Sequence, residues 1–75
     1  MNEKYIYCGT VANVFNGGRV GFIRTLTGEE ACFIREELNK EARGISKGDV
    51  VCFKIRLAED EATGKKNPVV FEIIL

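Results

Sequence analysis

The sequence predicts an all-β domain of five strands, and three observations lead to that prediction. Glycine and polar clusters divide the 75 residues into apolar segments of about 6–10 residues, the spacing expected of short strands. The cluster Asn16-Gly17-Gly18 has the composition of a hairpin turn. From Val50 to Leu57, large apolar residues alternate with polar or smaller ones, as in a strand that buries one face.

The first half of the chain is predicted to contain three strands. Tyr5 to Val14 is rich in aromatic and β-branched residues and forms the first strand. Arg19 to Leu26 forms the second strand, after the hairpin turn. The turn Thr27-Gly28-Glu29 separates it from a short third strand, Ala31 to Arg35.

The second half is predicted to add a helical turn, Glu36 to Glu41, and two strands. Val50 to Leu57 is the fourth strand, Ala58 to Asn67 is a mobile polar loop, and Val69 to Leu75 is the fifth strand. Pro68 stands at the entrance of the last strand, where a missing N–H is tolerated. Five strands with a short helical turn between the third and fourth is the order of an OB-fold Greek-key barrel. Closing the sheet also removes exposed strand edges.

Composition limits the classes of function. A chain of 75 residues is predicted to form one domain, residues 1–75, with a small core. Eleven basic and eleven acidic residues cancel, so a strongly basic composition is absent, although the local charge over one face can still favour nucleic acid. The sequence has no histidine and shows no catalytic constellation or phosphate-binding loop, so we predict neither an enzyme nor a cofactor.

The three cysteines are predicted to be reduced thiols that act as small hydrophobes. Cys8, Cys32 and Cys52 each lie in an apolar strand segment, and no two have C-x-x-C spacing. Three thiols without histidine do not predict a metal site. Reduced thiols, the lack of a signal-like N-terminus and the lack of a long apolar run together predict a soluble cytoplasmic protein with no membrane partner.

Four segments carry a resemblance to a known family. Gly9-Thr10-Val11 and Gly21-Phe22-Ile23 have the separation at which the cold-shock domain family places its Gly-x-Val and Gly-Phe-Ile motifs. Cys32-Phe33-Ile34 stands where that family has Val-Phe-Val, and Gly48 to Ile55 resembles its Gly-x-x-Val-x-Phe-x-Val strand. The resemblance covers residues 6–57. It implies an OB-fold barrel that binds single-stranded nucleic acid on strands two and three.

A second family of OB-type domains also fits. The RNA-binding repeat of ribosomal and ribonuclease proteins has Gly-x-Val-x-x-Val near its start, which Gly9, Val11 and Val14 match. Gly28 to Leu38 has the length of that repeat's Gly-x-x-Gly-Leu-Val-His-Ile-Ser-Glu-Leu segment and ends in Glu-Leu, but it lacks the second glycine and the histidine. Both resemblances imply the same barrel and the same binding face.

The cold-shock resemblance carries over two stacking residues, Phe22 and Phe33, which we predict to face outward. Elsewhere the residues of the family's binding face differ, since Val20 replaces the first aromatic of strand two and Asn13 replaces tryptophan. Shifting the alignment by one residue instead places Phe15 on the phenylalanine of the family's Trp-Phe-Asn. The alternative for Phe22 is a core position, because its face of strand two is the more apolar one.

Arginine beside phenylalanine on both strands is the second argument for this surface. Arg24 shares the face of Phe22, and Arg35 shares that of Phe33. Such guanidinium groups can neutralise the phosphates of a strand whose bases stack on the rings. With the other basic residues placed near this surface, the predicted nucleic-acid-binding residues are Phe22, Phe33, Arg19, Arg24, Arg35, Val20, Asn13, Phe15, Lys54 and Arg56.

The sequence therefore predicts a protein that binds single-stranded RNA or DNA weakly and with little sequence preference. RNA chaperoning, or modulation of transcription or translation, is the use that the resemblance implies. The alternative is an OB-fold module for protein interaction or homodimer formation that has lost nucleic-acid binding. It rests on the missing tryptophan, histidine and loop aromatics, and on a face that stays apolar without them.

Overall fold

In the computed structural model, which describes residues 1–74, the chain forms a five-stranded sheet that closes into a barrel. The strands are β1 (Ile6–Phe15), β2 (Val20–Thr25), β3 (Glu30–Ile34), β4 (Val50–Glu59) and β5 (Lys66–Ile74). Around the barrel they follow the order β1-β2-β3-β5-β4, and β4 pairs with β1 to close it. Neighbouring strands are antiparallel except β3 and β5, which run parallel. The predicted all-β class and closed sheet are confirmed.

The tight turn between β1 and β2 lies where the sequence predicted it. Asn16–Gly18 forms one 3-10 turn, and Asn16, Gly17 and Gly18 have φ angles of 53°, 67° and 93°. Glycine, and to a lesser degree asparagine, enters this left-handed region at low cost, so the Asn-Gly-Gly sequence suits the turn. The turn sets the register that places Phe15 opposite Val20.

The connection between β3 and β4 differs in detail from the single helical turn predicted over residues 36–41. It contains two 3-10 turns, Arg35–Glu37 and Lys40–Ala42. Between them the Asn39 side-chain amide donates to the Ile73 carbonyl at 2.9 Å and accepts from the Ile73 N–H at 2.9 Å, which ties the connection to β5. Within residues 1–74 no helix has the length and apolar composition needed to cross a membrane.

The core lies inside the barrel and is supplied by alternate positions of the strands. In β4, Val51, Phe53 and Ile55 are buried whereas Val50 is exposed, which confirms the alternation predicted for this strand. Leu38 and other apolar residues of the β3–β4 connection pack onto the same core. Each large apolar side chain buried here contributes about 1.5–3 kcal/mol. The largest fully buried side chains are Phe33, Phe53, Ile23, Ile55, Ile73, Val11 and Val70.

The predicted mobile loop between the last two strands is shorter than expected, because both strands extend into it. Ala58 pairs with Asn67, and Glu59 pairs with Lys66, so these four residues belong to the β4–β5 ladder. Pro68 lies within β5 rather than at its entrance and precedes Val69, where pairing with β3 begins. Its missing N–H therefore leaves no gap in the β3–β5 ladder. The predicted end of the strand at Leu75 falls outside the described residues.

The prediction of three free thiols is wrong for two of them, because Cys8 and Cys52 form a disulfide. The two residues lie directly opposite each other in the β1–β4 register, with their Cα atoms 4.0 Å apart. They are 44 residues apart in sequence, so no local spacing indicated the bond. Within the described chain Cys32 is free and exposed. The disulfide removes the cysteine argument for a reducing compartment.

Candidate nucleic-acid interface

The outer surface of the β1–β2 hairpin carries two stacked phenylalanines. The rings of Phe15 and Phe22 have centroids 6.1 Å apart and planes inclined by 29°. Phe15 is 47% exposed and Phe22 is half-buried, so both rings remain accessible in part. We call these two residues the aromatic pair. Partly exposed, offset rings of this kind form a surface on which a nucleic-acid base can stack.

The strand pairing explains why Phe22 points outward, as predicted. Along β2, Gly21, Ile23 and Thr25 are buried, so the alternate positions lie on the outer surface. In β1 a register shift between Val11 and Asn13 inserts an extra residue, after which Asn13 lies opposite Phe22. Such a bulge bends the strand and re-aims the side chains that follow it. The structure thus brings Asn13, Phe15, Val20 and Phe22 onto one surface, as the sequence predicted.

The prediction that Phe33 faces outward is wrong. Phe33 lies opposite Gly21 in the β2–β3 register and is 0% exposed. Directly opposite residues of an antiparallel pair share a face, so Phe33 must lie inside together with Gly21. A Cβ atom at Gly21 would approach Phe33 Cζ to 2.7 Å, which shows how closely the ring packs on the glycine. Cys32, opposite Phe22, takes the outer position that the resemblance gave to Phe33.

The predicted Arg24 lies beside the aromatic pair and the predicted Arg19 precedes Val20 at the start of β2, but each of them also meets a carboxylate. The Arg24 guanidinium carbon lies 5.9 Å from the Phe22 ring centroid, and its Nη2 and Nε donate to Glu30 at 2.6 and 2.9 Å. Arg19 Nη2 donates to Glu36 at 3.1 Å. Exposed ion pairs of this kind contribute only about 0–1 kcal/mol, so the guanidinium groups can exchange partners. The two carboxylates nevertheless offset the two guanidinium charges, so the formal charge of these four groups sums to zero.

Arg35 does not serve this surface, contrary to prediction. Its guanidinium lies 6.0 Å from the centroid of the buried Phe33 ring. It donates to the backbone carbonyls of Gly18 and Arg43, and to that of Ile45 at 2.9 Å. These bonds join the β1–β2 turn to the β3–β4 connection. Arg35 therefore holds the β1–β2 turn and the β3–β4 connection together, and its donors are used within the fold.

The two basic residues of β4 lie apart from the aromatic pair. Lys54 is paired with Ile6, at the opposite end of β1 from Phe15, and Ile6 is about 23 Å along the strand from Asn13. Lys54 also faces Glu72 at 3.8 Å. Arg56 lies on β4, which is separated from β2 by β1, and it donates to Glu37 at 3.0 Å. The sequence predicted that both residues are exposed. The closed barrel places them on a part of the surface that is separate from the aromatic pair.

The structure also reveals an exposed apolar row that the sequence did not predict. Val20 lies opposite Ile34 in the β2–β3 register, and extending the β3–β5 register by one residue places Phe71 beside Ile34. Ile34 is 37% exposed and Phe71 is 40% exposed. A register shift between Lys54 and Ile55 leaves Phe71 without a partner in β4 and turns it outward. We call Val20, Ile34 and Phe71 the apolar row.

Among residues 1–74 no cluster of acidic residues, cysteines or histidines could hold a metal ion. In comparisons with known proteins, neither a family model nor a curated sequence matched the chain.

Proposed function

We propose that this protein is an OB-type Greek-key barrel that binds single-stranded RNA or DNA weakly and with little sequence preference. The strand order, the parallel β3–β5 pair and the short helical turns between β3 and β4 support the OB-type assignment. The resemblance of residues 6–57 to the cold-shock domain family supports it as well. The observation that carries the proposed function is the exposed, stacked Phe15–Phe22 pair with the Arg24 guanidinium beside it.

Weak binding follows from the size and charge of this surface. Each base that stacks on an aromatic side chain contributes about 1–3 kcal/mol, and the aromatic pair offers room for one or two bases. Arg19 and Arg24 can each turn to a phosphate, but Glu36 and Glu30 stay nearby. We therefore expect affinity to fall with added salt less steeply than for a strongly basic binder.

An NMR titration with a seven-nucleotide pyrimidine single strand tests the proposal, with a duplex of the same length as control. We expect the single strand to shift amide and aromatic signals of β1 and β2, centred on Asn13, Phe15 and Phe22. The signals of β4 around Lys54 should stay unchanged, because that part of the barrel lies away from the aromatic pair. Absence of shifts with any single strand, or equal shifts over the whole barrel, would contradict the proposal.

The apolar row favours a second candidate function, self-association or binding of another protein. Val20, Ile34 and Phe71 are adjacent across three strands, and an outward apolar surface of this kind can bury itself against another chain. Sedimentation velocity over a range of concentrations distinguishes the candidates. A dimer that persists at high salt and is lost on Phe71→Ser would favour association, whereas a monomer at all concentrations would exclude a homodimer.

A further inference from the structure

A groove continues the surface of the aromatic pair toward the other end of the β1–β2 hairpin. It has a volume of about 460 Å³, and its lining includes Thr10, Ala12, Arg24, Leu26 and Lys47. Arg24 is two residues beyond Phe22 on the same face of β2 and lies opposite Thr10. A ligand that leaves the aromatic pair along the hairpin therefore passes directly into this groove.

The charge of the groove differs from that of two other cavities on the barrel. Its lining includes Arg24 and Lys47 and contains no acidic residue among the described positions. The cavity at the turn end of the hairpin includes Glu36, and the cavity between Phe22 and Pro68 includes Glu30. Of these three cavities, the groove is thus the one in which a phosphate would meet positive charge without a carboxylate in the wall.

Lys47 is held at the groove by its loop but keeps its ammonium group unpaired. The Gly48 N–H donates to the Val11 carbonyl at 2.9 Å, and the Val11 N–H donates to the Asp49 carbonyl at 2.9 Å, so the loop is fixed to β1 beside the bulge. The Asp49 carboxylate accepts from the Ser46 N–H at 2.8 Å. No carboxylate of the described residues forms an ion pair with Lys47.

We propose that this groove binds the phosphodiester group next to the base stacked on Phe22, with Lys47 as the principal charge. The proposal rests on the proposed function. Lys47 supplies the compact ammonium charge that suits phosphate, the Thr10 hydroxyl can donate to a phosphate oxygen, and Arg24 can turn from Glu30 to a second oxygen. Leu26, which is 97% exposed, lies at the rim of the groove.

The test compares Lys47→Gln with Lys40→Gln by fluorescence anisotropy of a labelled seven-nucleotide single strand between 50 and 300 mM KCl. Lys40 is also an exposed lysine, and it lies on the turn that packs on β5, a strand that adjoins neither β1 nor β2. Loss of one phosphate contact should make the plot of log K against log salt shallower by about 0.7. Lys47→Gln should therefore weaken binding about eightfold at 50 mM and about twofold at 300 mM. Lys40→Gln should match the wild type.

A second variant adds a positive charge to the groove instead of removing one. Leu26→Lys adds a cation at the rim of the groove, at a position too exposed to matter for folding, and should bind more tightly with a steeper salt dependence. The inference is overturned if Lys47→Gln and Lys40→Gln behave alike, if Lys47→Gln weakens binding equally at every salt concentration, or if Leu26→Lys does not strengthen it. If the wild-type protein binds no single strand at all, the proposed function fails and the inference fails with it.

Discussion

The inner and outer faces of the β2–β3 pair, which we call the inner and outer layers, each carry a phenylalanine, and the two rings have different surroundings. On the inner layer Phe33 packs against Gly21 and is fully buried. On the outer layer Phe22 stacks on Phe15 and has the free Cys32 opposite it. The two phenylalanines lie on neighbouring strands, yet one supports the core and the other remains open to a ligand. Strand register, rather than residue type, therefore decides which of the two phenylalanines is buried and which is partly exposed.

Truncating each of the two rings should affect stability very differently. Phe33→Ala should cost about 3–5 kcal/mol of the free energy of unfolding, because it removes a fully buried ring and leaves a cavity. That is a large share of the roughly 4–11 kcal/mol expected for a chain of this length. Phe22→Ala should cost about 1 kcal/mol or less. Urea denaturation followed by circular dichroism measures both, and equal losses for the two variants would contradict the assignment of layers.

The same two residues show what the sequence could predict. The apolar segments and the Asn-Gly-Gly turn sufficed to predict the first two strands, because these features depend on local pattern. The outward Phe22 was predicted from the family resemblance and from Arg24 on the same face, since hydrophobicity alone favoured a core position. The position of Phe33 depends on pairing with a residue that is not local. A glycine directly opposite a phenylalanine indicates that the ring packs inward over the glycine, but this pairing is known only once the β2–β3 register is known.

Other features of the site depend on contacts between segments that are distant in the chain. Arg35 is beside a phenylalanine in space, as expected, but its donors are taken by carbonyls of two connections whose approach the sequence does not encode locally. The carboxylates that meet Arg19 and Arg24 come from β3 or from just after it. Phe71 turns outward at a register shift, where strict alternation would place it on the same face as Ile73.

Outside the β2–β3 pair, the Cys8–Cys52 disulfide between β1 and β4 is a second feature that supports stability. A bond that closes a loop of 44 residues stabilises by about 4 kcal/mol in the chain-entropy treatment. Replacing both cysteines with serine should therefore lower Tm by roughly 15–30 °C. Differential scanning fluorimetry checks this, and a reducing agent should lower the Tm of the wild type similarly. Cys32→Ser is the matched control and should have the Tm of the wild type. An unchanged Tm in the double variant would show that the disulfide does not stabilise the barrel.

Substitutions in the aromatic pair should give the complementary result, a loss of affinity without a loss of fold. Phe22→Ala should weaken binding of a single-stranded heptamer by about 1–3 kcal/mol, or about 5- to 150-fold, because it removes one stacking surface. Phe71→Ala removes an exposed phenylalanine outside the aromatic pair and should leave affinity unchanged. Fluorescence anisotropy measures all of these affinities. Equal affinities for the wild type and Phe22→Ala would place the binding surface elsewhere.

The smallest expected effect concerns the carboxylate beside the aromatic pair. Glu30→Gln frees the Arg24 guanidinium from its ion pair and removes a charge that repels phosphate. Because an exposed ion pair contributes about 0–1 kcal/mol, the gain in affinity should be at most about fivefold. Glu72→Gln is the matched control, since it frees Lys54 in the same way on the distant β4–β5 surface. Anisotropy titrations at 50 mM KCl compare the two variants. A gain for Glu30→Gln alone would tie the outer layer of β2 to phosphate binding, whereas equal gains would show that only the overall charge of the protein matters.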